Sequence, residues 1–277
     1  MRKNNIKYDL KNKLLDLSYT KMNCPMPQTH STCIVVPCYN EEIGISLEEY
    51  SNFLDNNPDA MICFVNDGST DTTLSLLTVL KEKHENQIHI VSLMKNSGKA
   101  EAVRAGINYC NLNFENQHIG YLDADLATTL EEFMEITTYL KEETIFCFGS
   151  RIRKIGSTIV RENSRFLIGR IIATFISGVL DLKVYDTQCG CKVFTKEVST
   201  RLFKKEFISK WLFDVELFFR MIDLFGKENA ILKMYEVPLK SWIEKGNSKV
   251  KPTYFFKLWL DLYEISSFYK KIISKPI

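Results

Sequence analysis

No C-x-x-C pair occurs among the eight cysteines of this sequence, which removes the commonest zinc and dithiol redox motifs. Cys24, Cys33, Cys38, Cys63, Cys110, Cys147, Cys189 and Cys191 fall in several cases inside apolar runs such as MICFV and TIFCF, and read as buried, reduced thiols of a cytosolic protein. Cys189 and Cys191 have no second pair or nearby histidine to complete a tetrahedral site, so any metal is expected on oxygen ligands. Histidine is equally scarce: His30, His84, His89 and His118 stand outside every motif below, and no histidine base is apparent. An excess of one charge sign is missing too, with 36 basic against 34 acidic residues and a net charge of +2, which argues against nucleic-acid binding. The opening MRKNNIKYDLKNK lacks an apolar core, so no signal peptide is expected. The longest apolar stretch, FLIGRIIATFISGVLDL, is interrupted by Arg170 and Asp181; the uncharged residues 171–180 between them span half a bilayer. No P-loop and no G-x-G-x-x-G follows the first predicted strand, which weakens ATPase and dinucleotide readings. Without a repeat, a low-complexity tract or a Gly/Pro-rich linker, one continuous domain is expected.

What is present suits a sizeable core: 277 residues, of which 45% are hydrophobic. Between residues 32 and 150, strand-like and helix-like runs alternate. STCIVVP, MICFVND, IHIVSL, HIGYLD and TIFCFGS read as strands, with helices predicted over 41–55, 71–83, 98–110 and 130–141. This alternation predicts an α/β fold with a mostly parallel sheet flanked by helices, in which ligands bind beyond the carboxyl ends of the strands. Polar clusters fall at those ends: Pro37, Tyr39, Asn40 and Glu41; Asn66 and Asp67; Asn96 to Lys99; Asp123 and Asp125. Any one of them reads as well as a turn or a helix cap, but together they favour a site. In YLDADLATT, Asp123 and Asp125 are two residues apart, so both carboxylates can converge on one point and call for a cation between them. Gly98 and Lys99 open a helix, where free N–H groups and an ammonium can face a phosphate.

After residue 150 the pattern changes. Arg151, Arg153, Lys154, Arg161, Arg165 and Arg170 lead into a helical stripe of Ile168, Ile171, Ile172, Phe175, Ile176 and Val179. A second stripe, Tyr254, Phe255, Leu258, Trp259, Leu262, Ile265 and Phe268, is flanked by Lys249, Lys251, Lys257, Lys270 and Lys271. Both patterns suit amphipathic helices on an anionic membrane surface, and both equally suit helices docked on the body. Residues 1–31 form a lead segment, a short helix or an arm.

VVPCYNEE, FVNDGSTD, NSGKAEAVRAG, YLDADLAT and GSR follow the order and approximate spacing of family 2 glycosyltransferases with the GT-A fold, and the chain resembles that family over about residues 32 to 265. DTQCGCKVF and WLFDVELFFR are similar to its polyprenyl-phosphate (dolichyl-phosphate) glucosyltransferase branch. The resemblance implies a GT-A type, Rossmann-like domain over 32–277, with a nucleotide-sugar-binding half (32–150), an acceptor-binding half (151–248) and an amphipathic C-terminal helix (249–277). It implies that Pro37, Tyr39 and Glu41 line the nucleotide pocket, that Asp67 accepts a hydrogen bond from the base ring, and that Lys99 sits near the diphosphate. Asp123 and Asp125 would hold Mg²⁺ or Mn²⁺. Asn66 departs from the commoner Asp-Asp-Gly-Ser, and Ala127 stands where mannosyl-transferring relatives often carry a glutamine.

Inverting transfer usually needs a base, for which Asp186 is the first choice and Asp214 the second. Arg151, with Arg161 or Arg165, would hold an acceptor phosphate. The resemblance implies UDP-glucose as donor, a polyprenyl phosphate as acceptor, and peripheral attachment to the cytoplasmic face of a membrane. Alternatives are a soluble family 2 enzyme acting on a saccharide or protein hydroxyl, a GDP-mannose-dependent polyprenyl-phosphate mannosyltransferase, and a silent nucleotide-sugar-binding module.

Overall fold

The computed structural model describes residues 30–245 and 254–273. Cys24, Lys249, Lys251, the side chains of Tyr254 and Phe255, and nearly all of the lead segment lie outside the described residues. A seven-stranded sheet forms the centre, in the order β3 (Ile88–Leu93), β2 (Ala60–Asp67), β1 (Thr32–Cys38), β4 (His118–Leu122), β7 (Cys191–Thr195), β5 (Phe146–Ser150) and β8 (Met234–Pro238). Every neighbouring pair is parallel except those involving β7, which runs antiparallel to both β4 and β5. The expected mostly parallel sheet is therefore present, with one interior strand reversed. A small parallel pair, β6 (Thr158–Val160) with β9 (Ser241–Ile243), lies outside it.

Helices cover both faces because strand residues alternate in direction. Ile34, Val36, Ile62 and Phe64 pack under α1 (Leu47–Asn56), α2 (Thr73–Lys83) and α4 (Leu130–Thr137). Val35, Cys63 and Val65 pack against α3 (Lys99–Asn113), α6 (Lys196–Leu202), α7 (Phe213–Phe225) and α9 (Tyr254–Ile273). The seven described cysteines are all buried and none forms a disulfide, as expected of structural thiols.

Helix α1 starts six residues later than the periodicity predicts. Asn40 turns at φ 52°, and the backbone N–H groups of Asn40, Glu41 and Glu42 are taken by Ser69 Oγ, Thr73 Oγ1 and Asp71 Oδ2, which holds residues 40–42 in a loop. Ser46 then caps the helix by accepting from Glu49 N. This diverted segment ties the loop after β1 to the loop after β2.

Helix α5 (Asn163–Leu180) and α8 (Lys227–Leu232) complete the described chain. By length and composition α5 is apolar enough to cross a membrane, with a mean hydropathy of 1.2, although it carries Arg165 and Arg170. Only Ile176 and Leu180 are buried; Leu167, Ile168, Ile171 and Phe175 are each more than half exposed. Helix α9 is docked instead. Leu262, Ile265 and Tyr269 enter the core, Ser209 donates to Asp261, Tyr269 donates to Glu216 at 3.0 Å, and Trp259 meets Phe175 edge-on at 5.1 Å.

Candidate active site

Because β1, β2, β3, β4 and β5 are parallel, their carboxyl ends share one edge of the sheet. The reversed strand β7 begins at that same edge, where Leu122 pairs with Cys191. The edge thus gathers residues 37–41, 66–71, 95–99, 123–127, 151 and 186–190 from distant parts of the chain.

Asp67 is buried at the end of β2, and its two oxygens accept the N–H groups of Ser97 at 2.7 Å and Gly98 at 2.9 Å. Burial raises its pKa, against the pull of those two hydrogen bonds. The carboxylate therefore shapes the loop that begins α3, and a contact to a base ring would use its remaining lone pairs. Gly98 adopts φ 96°, a conformation that side chains disfavour, and its turn delivers Lys99 to the first position of α3. Tyr39 is partly exposed beyond β1, while Pro37 is half-buried within the strand. Glu41 sits in the tied loop, its N–H 2.8 Å from Thr73 Oγ1.

Lys99 Nζ lies 2.5 Å from Asp123 Oδ1. Burial opposes the charged ammonium, but Asp123, Asp214 and Asp125 outweigh it and raise the Lys99 pKa. Asp125 accepts Ala127 N at 3.0 Å, and burial followed by the Asp123 charge raises its pKa, as expected of neighbouring carboxylates. Tyr50 from α1 donates to the Ala124 carbonyl at 3.1 Å, and Leu126 turns at φ 51°, so the loop is held on both sides of Asp125.

A residue not singled out in the sequence completes this corner. An ideal Cβ on Gly190 would stand 1.9 Å from Asp123 Oδ2, so only glycine leaves that carboxylate its place. The glycine of DTQCGCKVF carries the signal, but not its partner. Two neighbouring carboxylates suit Mg²⁺ or Mn²⁺. Among the described residues no group of three or more His, Cys, Asp or Glu is placed to hold a metal. The remaining ligands would have to be diphosphate oxygens and water.

The residues expected to hold the acceptor are arranged differently from their sequence reading. Arg151 and Asp186, read there as phosphate anchor and base, face each other: Arg151 Nε and Nη2 donate to the two carboxylate oxygens at 2.6 and 2.9 Å. Burial alone would raise the Asp186 pKa; the guanidinium overrides it and holds the carboxyl down to about 2. Glu236 fixes this segment by accepting Tyr185 N and Asp186 N. Asp214, the second candidate base, is buried at the start of α7 and accepts from Tyr121 Oη and, at 2.5 Å, from Lys192 Nζ.

Of the other two arginines, Arg165 donates to Glu244 Oε1 at 2.5 Å. Arg161 lies against Gly169, near enough to Arg151 for that charge, after burial, to lower its pKa. Its Nε is buried and has no hydrogen-bond partner among the described residues. Arg153 donates to the Arg161 carbonyl at 2.7 Å and stacks on Phe166, and Arg151 faces Trp242.

Residues 33–203 match the model of the Glycosyl transferase family 2 domain. The chain belongs to glycosyltransferase family 2. Among curated relatives of this glycosyltransferase, the dolichyl-phosphate beta-glucosyltransferase ALG5C of Trichomonas vaginalis is 34% identical, over 90% of this chain and 76% of that protein. The dolichyl-phosphate beta-glucosyltransferases of Drosophila melanogaster, at 30% identity over 83% and 71%, and Homo sapiens, at 27% over 84% and 73%, are also similar. Among solved structures, glucosyl-3-phosphoglycerate synthase from Mycobacterium tuberculosis, in complex with Mn²⁺ and UDP-glucose, shares the GT-A fold. The TM-score is 0.61 at 15% identity, covering 90% of this chain and 80% of that one. The same enzyme has been solved with Mg²⁺ and UDP.

Proposed function

We propose that this glycosyltransferase moves glucose from UDP-glucose onto dolichyl phosphate or a similar polyprenyl phosphate, with inversion at the anomeric carbon. The relatives' activity supports this reading. The observation that carries it within the structure is the state of the two candidate bases: Asp186 is locked to Arg151, and Asp214 is buried against Lys192 and Tyr121. A hydroxyl acceptor needs a base to take its proton, whereas a phosphate monoester, with a second pKa of about 6, is already ionised at neutral pH.

In this reading an acceptor phosphate oxygen forms the new bond to the anomeric carbon as the bond to the β-phosphate oxygen breaks and UDP departs. Asp123 and Asp125 would hold Mg²⁺ or Mn²⁺, which supplies positive charge for the leaving diphosphate. Lys99, held at Asp123, adds an ammonium at the helix N-terminus on the same side. Arg161, close to Arg151, adds a second cation for the acceptor phosphate, and Asp186 keeps Arg151 beside it. Tyr39, Glu41 and Asp67 would frame the nucleoside.

The exposed apolar residues of α5 begin directly beyond these arginines. Such a helix, with Arg153, Lys154 and Arg161 at its entrance, suits in-plane contact with an anionic leaflet, where the phosphate and prenyl chain of one acceptor would lie side by side. This supports peripheral attachment at the cytoplasmic face of a membrane.

The test compares a short-chain prenyl phosphate with the corresponding prenyl alcohol as acceptors, and wild type with Arg161→Ala. The phosphate should be glucosylated and the alcohol ignored, and Arg161→Ala should raise the acceptor KM about tenfold. Efficient turnover of the alcohol would overturn the reading.

A further inference from the structure

Lys192 is fully buried in β7. A buried ammonium is costly unless it is paired and hydrogen-bonded, so its neighbours carry the explanation. They are the Cys189 carbonyl at 2.7 Å and Asp214 Oδ1 at 2.5 Å. Tyr121, directly opposite Lys192 in the β4–β7 ladder, donates its hydroxyl to the same Asp214 oxygen.

Two members of this cluster adjoin residues of the donor corner. Tyr121 is two residues before Asp123, Lys192 is two residues after Gly190, and Gly190 abuts the Asp123 carboxylate. Removing Lys192 would leave Asp214 without its cation and release the Cys189 carbonyl, and with it the turn that carries Gly190.

We infer that Lys192 is a positioning residue of the donor site: it pairs with Asp214 in the core and fixes the Cys189–Gly190 turn against Asp123. The metal-binding carboxylate is then set before a nucleoside diphosphate arrives. This rests on the proposed donor class, not on the acceptor. It also gives Asp214 a task other than proton transfer.

Calorimetric titration of UDP with Mn²⁺ tests it on wild type, Lys192→Met and Lys192→Met/Asp214→Asn. The double variant removes both charges, leaves no unpaired ion in the core, and keeps the test decisive if the single variant fails to fold. Both variants should bind UDP with Mn²⁺ about ten- to a hundredfold more weakly, the usual scale for residues that orient metal ligands. In turnover, the donor KM should rise with the acceptor KM unchanged. Wild-type affinity in a stable double variant would overturn the inference and leave Lys192 a stability residue alone. Absence of UDP binding by wild type itself would overturn the donor reading, and this inference with it.

Discussion

Arg151 and Asp186, 35 residues apart, form one two-pronged ion pair at the edge of the sheet, and the Arg151 backbone N–H adds a third contact at 3.2 Å. A carboxylate held this way accepts a proton reluctantly, and its partner is aimed rather than free. The pair gives this edge of the sheet a fixed cation.

Asp186→Asn separates partner from base. Losing the carboxylate charge should loosen Arg151 and raise the acceptor KM about tenfold, while the pH profile keeps its shape because the acceptor phosphate sets it. Steady-state kinetics between pH 5.5 and 8.5, with prenyl phosphate varied, would check this. Loss of kcat together with the acid limb would restore Asp186 as the base.

Gly190→Ala should act on the metal through Asp123. The added methyl would overlap the carboxylate, which must rotate away, and the concentration of Mn²⁺ giving half-maximal rate should rise about tenfold or more. The melting temperature should change little, since the site lies in a turn before β7. Metal-activation curves for the two proteins decide the matter.

Much of this arrangement was legible in the sequence, and the reasons differ by element. Strands β1 to β4 and the Asp123/Asp125 motif depend on local apolar runs and on period two, which a sequence displays directly. The reversed strand β7 was not anticipated, because CKVFT does not reveal its neighbours or its direction. The pairing of Arg151 with Asp186 and of Lys192 with Asp214 joins residues brought together only by strand order. For α9, periodicity showed an apolar stripe but not its covering; Glu216 and Ser209 supply the contacts that dock it. Glu41 and Glu42 read as the start of a helix because the side chains that hold them in a loop lie about 30 residues away.

The exposed face of α5 should bind membranes. Ile168→Glu and Ile171→Glu place charge on side chains more than half exposed, so the fold should survive and co-sedimentation with vesicles containing anionic lipid should fall. Deleting residues 249–277 is a poorer test, because α9 buries Leu262 and Ile265 in the core. Equal sedimentation of wild type and both variants would remove α5 from the membrane contact.

Acid should destabilise the protein in steps set partly by His89. Burial, then the charges of Lys81 and His30, lower its pKa from 6.5 to about 4, and its ring packs 4.4 Å from Phe114. Between these values the unfolded chain binds more protons than the folded one. The His89 contribution is therefore complete above pH 6.5, falls on acidification and levels off below about pH 4. His30 and His118, also lowered by burial, act in the same direction. Melting temperatures from pH 7.5 to 4.5 should decline less steeply for His89→Gln than for wild type.

The central claim is met most directly by supplying purified protein with radiolabelled UDP-glucose, Mn²⁺ and a short-chain prenyl phosphate, then extracting into organic solvent. An acid-labile labelled lipid should form with wild type and fail to form with Asp123→Asn or Asp125→Asn. Labelled lipid that appears only when GDP-mannose replaces UDP-glucose, or none with either donor, would contradict the account.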